Sequence, residues 1–411
     1  MNFDDIIALD KADPLAKKRL EFDLPATTVY LDGNSLGALP KSVKSRVAEV
    51  VSQQWGNDLI KSWNSHSWID LPTKVGEKIA PIVGAAQGQV ICCDCISVNL
   101  FKLLCSALKL KSERTVVLST KDNFPTDLYM VQGLSNLLGP DLCQLQMVEE
   151  QDIPQNLTES VAVLLLTQVN FRTGKLLDMA KLTQLAHNKG IVVIWDLAHS
   201  AGALPVELDK CEVDFAVGCG YKYLNGGPGS PAFLYVAKRH QNIITQPLSG
   251  WMGHANPFAF DAEYAPAPTI NQFQCGTPNV IAMSALDAAL DVWQDVNMFQ
   301  IRNKSEALAE TFIELIQANG CLQNLALCSP YDAKQRGSQL AFSHNNAFAI
   351  CQALIEKGVI ADFRAPNILR FGLTPLYTSF EDVWLAVATL ADIVRSETYK
   401  EQRFNITLKV T

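Results

Sequence analysis

Two apolar segments of this 411-residue chain end in polar side chains that could do chemistry. In I-V-V-I-W-D-L-A-H-S (191–200), Asp196 closes a strand-like run and His199 follows it closely. In G-C-G-Y-K-Y-L-N-G-G-P-G-S (218–230), Lys222 lies between two tyrosines, before a glycine-rich turn. Most lysines are solvated surface charges, but one held against aromatic rings and tight turns is suited to a lowered pKa and nucleophilic work. An isolated aspartate in such a place could equally cap the next turn.

The two segments together are more specific than either alone. An aspartate and a lysine at the ends of different strands form the arrangement that a pyridoxal-phosphate site needs, because the lysine binds the cofactor's aldehyde and the aspartate keeps the pyridine nitrogen protonated. Ser97 is a possible N-cap of a predicted helix, and a helix N-terminus favours a phosphate. Phe124 could stack on the ring. The alternative reading is that Phe124 belongs to the core and Thr126 is an N-cap.

The order of elements through the middle of the chain favours an α/β domain. Short apolar runs alternate with helical patterns, one of which spans Asp178–Lys189 and ends at Gly190. Uninterrupted apolar strands indicate a mostly parallel sheet that is buried on both faces, and ligands of such sheets bind beyond the carboxyl ends of the strands. The predicted strands cover 114–119, 161–166, 191–196, 214–219 and 231–236.

The pattern changes beyond about residue 280, which predicts a smaller α+β domain. A capping pattern, Ser379-x-x-Asp382, opens the last helix, and prolines and glycines cluster near 260–285. The predicted helices are 280–296, 299–319, 346–358 and 380–396, and the predicted strands lie near 338–343 and 367–373. The predicted divisions are an N-terminal segment, 1–50, that packs with the small domain, a large cofactor-binding domain, 51–280, and the small domain, 281–411.

Composition and charge narrow the class of protein. Hydrophobic residues make up 48% and charged residues 18% of a chain with net charge −8, which is globular and unsuited to binding duplex nucleic acid. No apolar run reaches the roughly 18–20 residues of a membrane span. The acidic start lacks the features of a signal peptide, and the odd number of cysteines, 11, favours reduced thiols in the cytoplasm. The cluster Cys92, Cys93 and Cys95 has no matching second ligand pair, so we expect no metal.

Several segments of the chain, including those that carry Asp196 and Lys222, resemble the kynureninases, a family of fold-type-I pyridoxal-phosphate enzymes. D-L-A-H-S-A-G with Y-K-Y-L-N-G-G-P-G is typical of this family and separates it from cysteine desulfurases and most aminotransferases of the same fold. The matching segments keep the family's order and span nearly the whole chain. They are L-D-G-N-S-L-G (31–37), S-V-N-L-F-K (97–102), N-F-P-T-D-L-Y (123–129), V-N-F-R-T-G (169–174), W-D-L-A-H-S-A-G-A (195–203), G-Y-K-Y-L-N-G-G-P-G (220–229) and L-R-F-G-L-T-P-L-Y (369–377).

The resemblance implies the cofactor, pyridoxal 5'-phosphate, and a role for each matching position. Trp251 and Thr277 match positions that the family contributes from a neighbouring subunit, which implies a homodimer with shared active sites. The implied catalytic residues are Lys222, Tyr221 and Asp196; the implied cofactor contacts are these three with Ile96, Ser97, Phe124, Pro125, Thr126, Asp127, Thr167, His199, Trp251 and Thr277; and Arg370 is implied to bind the substrate carboxylate.

The resemblance also implies the reaction, hydrolysis of L-kynurenine to anthranilate and L-alanine in tryptophan catabolism, a route connected with NAD biosynthesis. Thr277 follows the bacterial pattern, which favours kynurenine over 3-hydroxykynurenine. The aryl-pocket candidates are Trp63, His66 and Trp68, for which core packing is an equal alternative.

Two other functions are compatible with parts of the sequence. A desulfurase or aminotransferase of the same fold is the first, and Cys321 and Cys328 lie in the region of the chain where a desulfurase has its catalytic cysteine. Their apolar surroundings favour core thiols instead. A non-catalytic dimeric scaffold is the second, but it has no need for a desolvated lysine such as Lys222.

Overall fold

The computed structural model describes residues 1–406, which form three sheets surrounded by helices. The strands are β1 (Val29–Tyr30), β2 (Val90–Cys92), β3 (Val116–Thr120), β4 (Gln144–Val148), β5 (Val161–Thr167), β6 (Val192–Asp196), β7 (Phe215–Cys219), β8 (Ala232–Val236), β9 (Ala326–Leu327), β10 (Gln339–Ser343), β11 (Val359–Ile360), β12 (Asp362–Arg364) and β13 (Ile368–Gly372). The helices are α1 (Phe3–Ala12), α2 (Lys41–Glu49), α3 (Ser62–Ser65), α4 (Leu71–Ile79), α5 (Ile96–Leu110), α6 (Pro125–Leu138), α7 (Ile153–Asn156), α8 (Met179–His187), α9 (Val280–Ala289), α10 (Met298–Gln317), α11 (Ala347–Glu356) and α12 (Phe380–Ser396).

The largest sheet has seven strands in the order β2-β8-β7-β6-β5-β3-β4. Strands β4, β3, β5, β6 and β7 run parallel to one another, and β8 is antiparallel to both β7 and β2. The predicted α/β fold with a mostly parallel sheet is therefore confirmed. All five predicted strands are present, with limits shifted by at most two residues. Strands β2 and β4 at the sheet edges were not predicted.

Both faces of this sheet are buried, which accounts for the uninterrupted apolar strands. Along β5 and β6, Leu164 and Trp195 belong to the core on one face, and Leu165 and Ile194 belong to the core on the other. Alternate residues of a strand point to opposite faces, so a sheet covered on both sides needs apolar residues at every position.

The carboxyl ends of four adjacent parallel strands lie side by side. Thr167 at the end of β5 pairs in register with Asp196 at the end of β6. Cys219 ends β7, shortly before Lys222, and Thr120 ends β3, shortly before Phe124. The sheet therefore brings together polar segments that are distant in the sequence, at the edge where α/β sheets bind ligands.

The second sheet, β12-β13-β10-β9, is antiparallel and forms a separate core with α1, α10, α11 and α12. The predicted elements beyond residue 280 are present, and the 280–296 helix continues beyond Ala289 only as a short 3-10 turn. The predicted capping box at Ser379 is confirmed. In the N-terminal segment, β1 pairs with β11 and α1 packs on α12, whereas α2 packs on α9. The domain limits themselves stay a prediction.

Neither residue considered as a helix cap near the site, the predicted Ser97 or the alternative Thr126, caps its helix. Cys95, with an extended backbone, is the N-cap of α5, so Ser97 is already inside the helix and does not cap it. Phe124 is the N-cap of α6 and Pro125 its first residue, so Thr126 is no cap either. Proline is pre-organised for the first helical position, and α6 starts two residues earlier than it would with a cap at Thr126. Among residues 1–406, no helix is long and apolar enough to cross a bilayer.

The amino end of the sheet is held by a buried carboxylate, Asp214, just before β7. Its Oδ1 accepts hydrogen bonds from Arg239 Nη2 at 2.6 Å and His240 Nε2 at 2.7 Å. Its Oδ2 accepts from His187 Nε2 and the Val193 backbone N–H, both at 2.8 Å. Burial alone would raise the pKa of Asp214, but these hydrogen bonds outweigh it and hold the pKa well below its usual range.

We expect Asp214→Asn to lower the free energy of unfolding at pH 7 by about 3 kcal/mol, since it removes a buried carboxylate that accepts four hydrogen bonds. Because the folded-state pKa is depressed, this stabilisation is present above the unfolded-state pKa and is lost as the pH falls through the folded-state value. Urea unfolding of the variant, with the exposed Asp141→Asn as control, measures the difference. Equal unfolding midpoints for the two variants would contradict this account.

Candidate active site

A buried cavity of about 210 Å³ lies at the carboxyl ends of β3, β5, β6 and β7. Ten of the sequence-predicted site residues line it: Ile96, Ser97, Phe124, Thr126, Asp127, Thr167, Asp196, His199, Tyr221 and Lys222. Four further predicted residues, Pro125, Trp251, Thr277 and Arg370, are not among the residues that line it.

Lys222 is positioned by the turn that follows β7. Its Nζ lies 3.0 Å from His199 Nε2 and 5.8 Å from the centre of the Tyr221 ring. Burial lowers the pKa of Lys222, and Arg370 and Arg364 lower it further, while Cys219 and Asp196 act in the opposite direction. Burial also lowers the pKa of His199 well below its usual range, and the charge of Lys222 lowers it further. The imidazole is therefore neutral, and a neutral amine at Lys222 is a nucleophile and a base.

A glycine on the N-terminal segment fits tightly against this lysine. The Gly37 N–H donates to the Tyr221 carbonyl at 2.8 Å. A Cβ at Gly37 would lie 2.2 Å from the Lys222 carbonyl oxygen, so no other residue fits there without moving the backbone that carries the lysine. This contact explains physically why L-D-G-N-S-L-G needs its second glycine.

Two carboxyl groups share the floor of the cavity. Asp196 Oδ1 accepts from the Ala198 backbone N–H at 2.7 Å. Burial raises the pKa of Asp196. Burial and the nearby charge of Asp196 raise the pKa of Asp127 well above its usual range. Neither oxygen of Asp127 receives a hydrogen bond from an N–H or O–H group of residues 1–406. Two such neighbours cannot both stay ionised without a cation, so the pair holds a proton or awaits a positively charged ligand.

An aromatic pair and a helix start form the rest of the cavity wall. Phe124 packs edge-on against Phe171 with ring centres 5.2 Å apart, and 39% of Phe124 remains exposed. The core alternative for Phe124 is therefore wrong. Ile96 and Ser97 form the first turn of α5, whose free N–H groups and dipole favour an anion.

Arg370 lies behind the wall that Phe171 contributes. It donates to the Phe171 carbonyl oxygen, and its Nη2 lies 2.5 Å from Asp362 Oδ2. Asp362 faces Arg370 across the β12–β13 pair, and both side chains are 1% exposed. This arginine is thus fixed at the border of the cavity by a neighbouring strand.

Trp251 and Thr277 lie elsewhere in this chain. Trp251 opens a short 3-10 helix, is 38% exposed and packs against Phe258. Thr277 lines a different cavity, together with Asp94 and Cys275. The three aryl-pocket candidates contact their own segment: Trp63 packs edge-on against Trp68, and His66 pairs with Asp58.

The two cysteines considered for a desulfurase are not at the cavity. Cys321 packs against the core of the second sheet, and its thiol lies 3.5 Å from the Ala391 carbonyl. Cys328 Sγ lies 3.6 Å from the Ala326 carbonyl. Neither is among the cavity residues.

Sequence reasoning missed several residues of the wall. Phe171 is part of V-N-F-R-T-G, a segment that already resembled the family, so its position was a usable signal. Cys219 ends the strand before Lys222, and Ser230 closes the turn after it. The missed residues are Cys95, Phe171, Ala198, Cys219, Ser230 and Ala232.

Comparison with known proteins gives relatives over the whole length of the chain. A kynureninase from Burkholderia pseudomallei (strain 1106a) is 48% identical over 413 residues and covers 99% of both chains. A kynureninase from Deinococcus radiodurans is 51% identical over 392 residues, 94% of this chain and 95% of its own. The chain belongs to the kynureninase family. A model of the kynureninase C-terminal domain matches residues 301–390.

Solved structures outside the family share the fold. A cysteine desulfurase from Thermococcus onnurineus superposes with a TM-score of 0.76 at 18% identity, over 92% of this chain and 98% of its own. A cysteine desulfurase from Escherichia coli has a TM-score of 0.77 at 20% identity, over 93% and 98%. The predicted fold type is thereby confirmed, and the family relation separates this chain from the desulfurases.

Proposed function

We propose that the chain is a pyridoxal-phosphate-dependent hydrolase that cleaves L-kynurenine to anthranilate and L-alanine in tryptophan catabolism. One observation carries this proposal. In a member of the kynureninase family, Lys222 and Asp196 meet in one buried cavity at the carboxyl ends of adjacent parallel strands. An unused lysine there would carry a large desolvation cost for no gain in stability.

The side chains of the cavity fit the cofactor. Lys222 Nζ would bind the aldehyde, and the unsatisfied carboxyl pair of Asp127 and Asp196 would receive the protonated ring nitrogen. Phe124 would lie against the ring. The remaining contacts would come from the start of α5 at the phosphate, namely Ile96 and Ser97, and from Pro125, Thr126, Thr167, His199 and Tyr221.

The chain's own groups then divide the work of acid and base. When bound, the cofactor supplies an electron sink for the charge that develops at the substrate's Cα. Lys222, with its lowered pKa, is suited to remove the Cα proton. Burial raises the pKa of Tyr221, so its hydroxyl stays protonated and can give a proton to the substrate's Cβ. Water adds to the γ-carbonyl carbon, and the Cβ–Cγ bond breaks to leave anthranilate and alanine.

Arg370 is proposed to bind the substrate's α-carboxylate. A buried guanidinium presents a planar fork of donors that suits a carboxylate better than a lysine would. Its Nε has no hydrogen-bond partner within residues 1–406, so a donor remains for a ligand. This contact orients the amine of the substrate toward Lys222.

The preferred substrate and the cellular compartment are also part of this proposal. Thr277 supports kynurenine over its 3-hydroxy form, whose product would lead toward NAD biosynthesis. All 11 cysteines are free within the described residues, which supports a reducing compartment such as the cytoplasm. The substrate is a small molecule, and the acidic charge offers nucleic acid no binding surface.

A homodimer with shared sites is proposed because Trp251 and Thr277 do not line their own chain's cavity. The segment around Trp251 exposes an apolar cluster, in which Phe258 is 64% and Phe260 is 80% exposed. Exposed apolar patches of this kind are typical of protein interfaces. A second copy packed there would cover the cluster and could contribute both residues to the neighbouring cavity.

The cleavage reaction is tested by adding pyridoxal phosphate and L-kynurenine to the purified chain. We expect equal amounts of anthranilate, followed by its fluorescence, and L-alanine. Lys222→Ala should abolish turnover, because the base and the covalent attachment are both lost. The control is Lys210→Ala, an exposed lysine at the other end of the sheet. Wild-type turnover by Lys222→Ala would refute the site, and alanine from cysteine but not from kynurenine would point to a desulfurase.

The role of Arg370 is tested with Arg370→Lys and Arg370→Ala. We expect KM for L-kynurenine to rise about 10- to 100-fold in Arg370→Ala, because charged hydrogen bonds to the substrate are lost. The change in kcat should be smaller. Arg370→Lys should recover part of this loss, because it keeps the charge without the fork. Circular dichroism and a melting curve check that each variant folds. A folded Arg370→Ala with an unchanged KM would remove the residue from the site.

The shared sites are tested by mixing two variants, Lys222→Ala and Trp251→Ala, each of which we expect to be inactive alone. Light scattering should give a mass near twice 45.1 kDa for each. After unfolding and refolding an equal mixture, half of the dimers are hybrids, and each hybrid has one intact site if Trp251 serves the partner's cavity. Activity should then return to about a quarter of wild type. No recovery from well-folded hybrids would mean that Trp251 acts within its own chain.

A further inference from the structure

A cluster of two carboxylates and two arginines lies behind the cavity, where the N-terminal segment meets the second sheet. We call it the Arg370 cluster, and its members are Asp32, Asp362, Arg364 and Arg370. Asp362 is central, since its Oδ2 lies 2.5 Å from Arg370 Nη2 and 2.9 Å from Arg364 Nη2. Asp362 and Arg370 are almost fully buried, so their charges are poorly screened by solvent.

Asp32 enters the cluster from the L-D-G-N-S-L-G segment. The Asp32 backbone carbonyl accepts from the Ser35 N–H at 2.9 Å. The Ser35 hydroxyl in turn donates to Asp362 Oδ2 at 2.6 Å and accepts from Arg370 Nη2 at 3.3 Å. Asp32 Oδ1 and Asp362 Oδ1 are both buried and have no hydrogen-bond partner within residues 1–406. Such unsatisfied acceptors are costly, and a proton on one carboxyl removes part of the cost.

Asp32 is the member of the cluster whose pKa lies near neutral pH. Burial raises its pKa to about 7, with the charge of Asp362 adding to the effect and Ser35, Arg370 and Arg364 opposing it. The other titratable groups that face it stay neutral in this range, because burial raises the pKa of each. They are Tyr30 on β1, Tyr223 after β7, Cys351 on α11 and Tyr377 after β13.

The charge of the cluster determines how well it accepts an anion. With Asp32 protonated, two arginines and the ionised Asp362 leave one net positive charge, which a substrate carboxylate neutralises. With Asp32 ionised, the cluster is already neutral, and a bound carboxylate would leave a net negative charge in a buried place. An uncompensated buried charge is strongly unfavourable.

We propose that Asp32 takes up a proton when a carboxylate binds Arg370, so that the Asp32–Asp362 pair couples substrate binding to proton binding. This proposal rests on the proposed role of Arg370. Coupling is reciprocal: if an ionised Asp32 weakens carboxylate binding, a bound carboxylate must favour the protonated Asp32 by the same factor. Asp32 is a positioning residue in this scheme, since it acts through Arg370 and not on the reacting atoms.

This coupling makes KM rise with pH. Below the pKa of Asp32 in the free protein the positive cluster is present, and KM is low. Above it Asp32 ionises, and KM rises with pH until the carboxylate-bound form loses its proton as well. We expect a rise of about five-fold or more between pH 6 and pH 9, the size of a typical coupling between sites. The change belongs to KM and not to kcat, because the group acts on binding.

The variant that tests this is Asp32→Asn in the holoenzyme, which keeps the size of the side chain but cannot ionise. Its KM for L-kynurenine should stay near the low-pH wild-type value across pH 6–9. Asp362→Asn should shift the midpoint of the KM rise to lower pH, because the charge of Asp362 no longer raises the pKa of Asp32. Asp141→Asn, an exposed aspartate outside the cluster, is the control and should follow wild type. A rise of KM in Asp32→Asn equal to that of wild type would overturn the proposal.

A second measurement does not depend on turnover. Propionate, a carboxylate without an amine, is titrated into the wild-type holoenzyme in two buffers of different ionisation enthalpy, and calorimetry counts the protons taken up. We expect a fractional uptake at pH 7.5 that disappears in Asp32→Asn. Zero uptake by wild type with measurable propionate binding would overturn the coupling. If protons are taken up but kynurenine is not cleaved, the proposed coupling is supported and the proposed function is refuted. If kynurenine is cleaved without proton uptake, the proposed function is supported and the coupling is refuted.

Discussion

The desolvation of Lys222 is the constraint on which the rest of this site depends. A buried lysine is tolerable only if it can be neutral or meet a partner, and this chain surrounds it with a neutral imidazole, two carboxyl groups, and arginines at a distance. Burial and the two arginines lower the pKa of the amine, against the opposing effect of Cys219 and Asp196. Cost in stability and gain in reactivity thus have one physical cause.

Four parallel strands and one tight turn hold this arrangement in place. Because Thr167 and Asp196 pair in register, and Cys219 ends the next strand, the depth of each side chain follows from the sheet. The N-terminal segment closes the site from the other side, where Gly37 touches the Lys222 carbonyl and Ser35 touches the Arg370 cluster. The lysine and the arginine are therefore connected through a segment near the start of the chain.

Local patterns predicted most of the elements but not all of their ends. Apolar runs identified β3, β5, β6, β7 and β8, since burial on both faces leaves no ambiguity in such strands. The short β2 and the exposed edge strand β4 lack that signal. The helix start near Ser97 was misread, because the residue with the extended backbone that caps α5 is Cys95.

The sequence by itself determined the family, five of the seven strands of the large sheet, the main helices beyond residue 280, and ten of the side chains at the cavity, because residue type and spacing carry this information locally. Only the tertiary structure decided what surrounds them. The pairing of Asp362 with Arg370 depends on strand register. The approach of Asp32 depends on a contact between segments more than 300 residues apart, and the pKa of each group depends on burial. Desolvation and register are properties of the packed chain, so spacing along the sequence cannot express them.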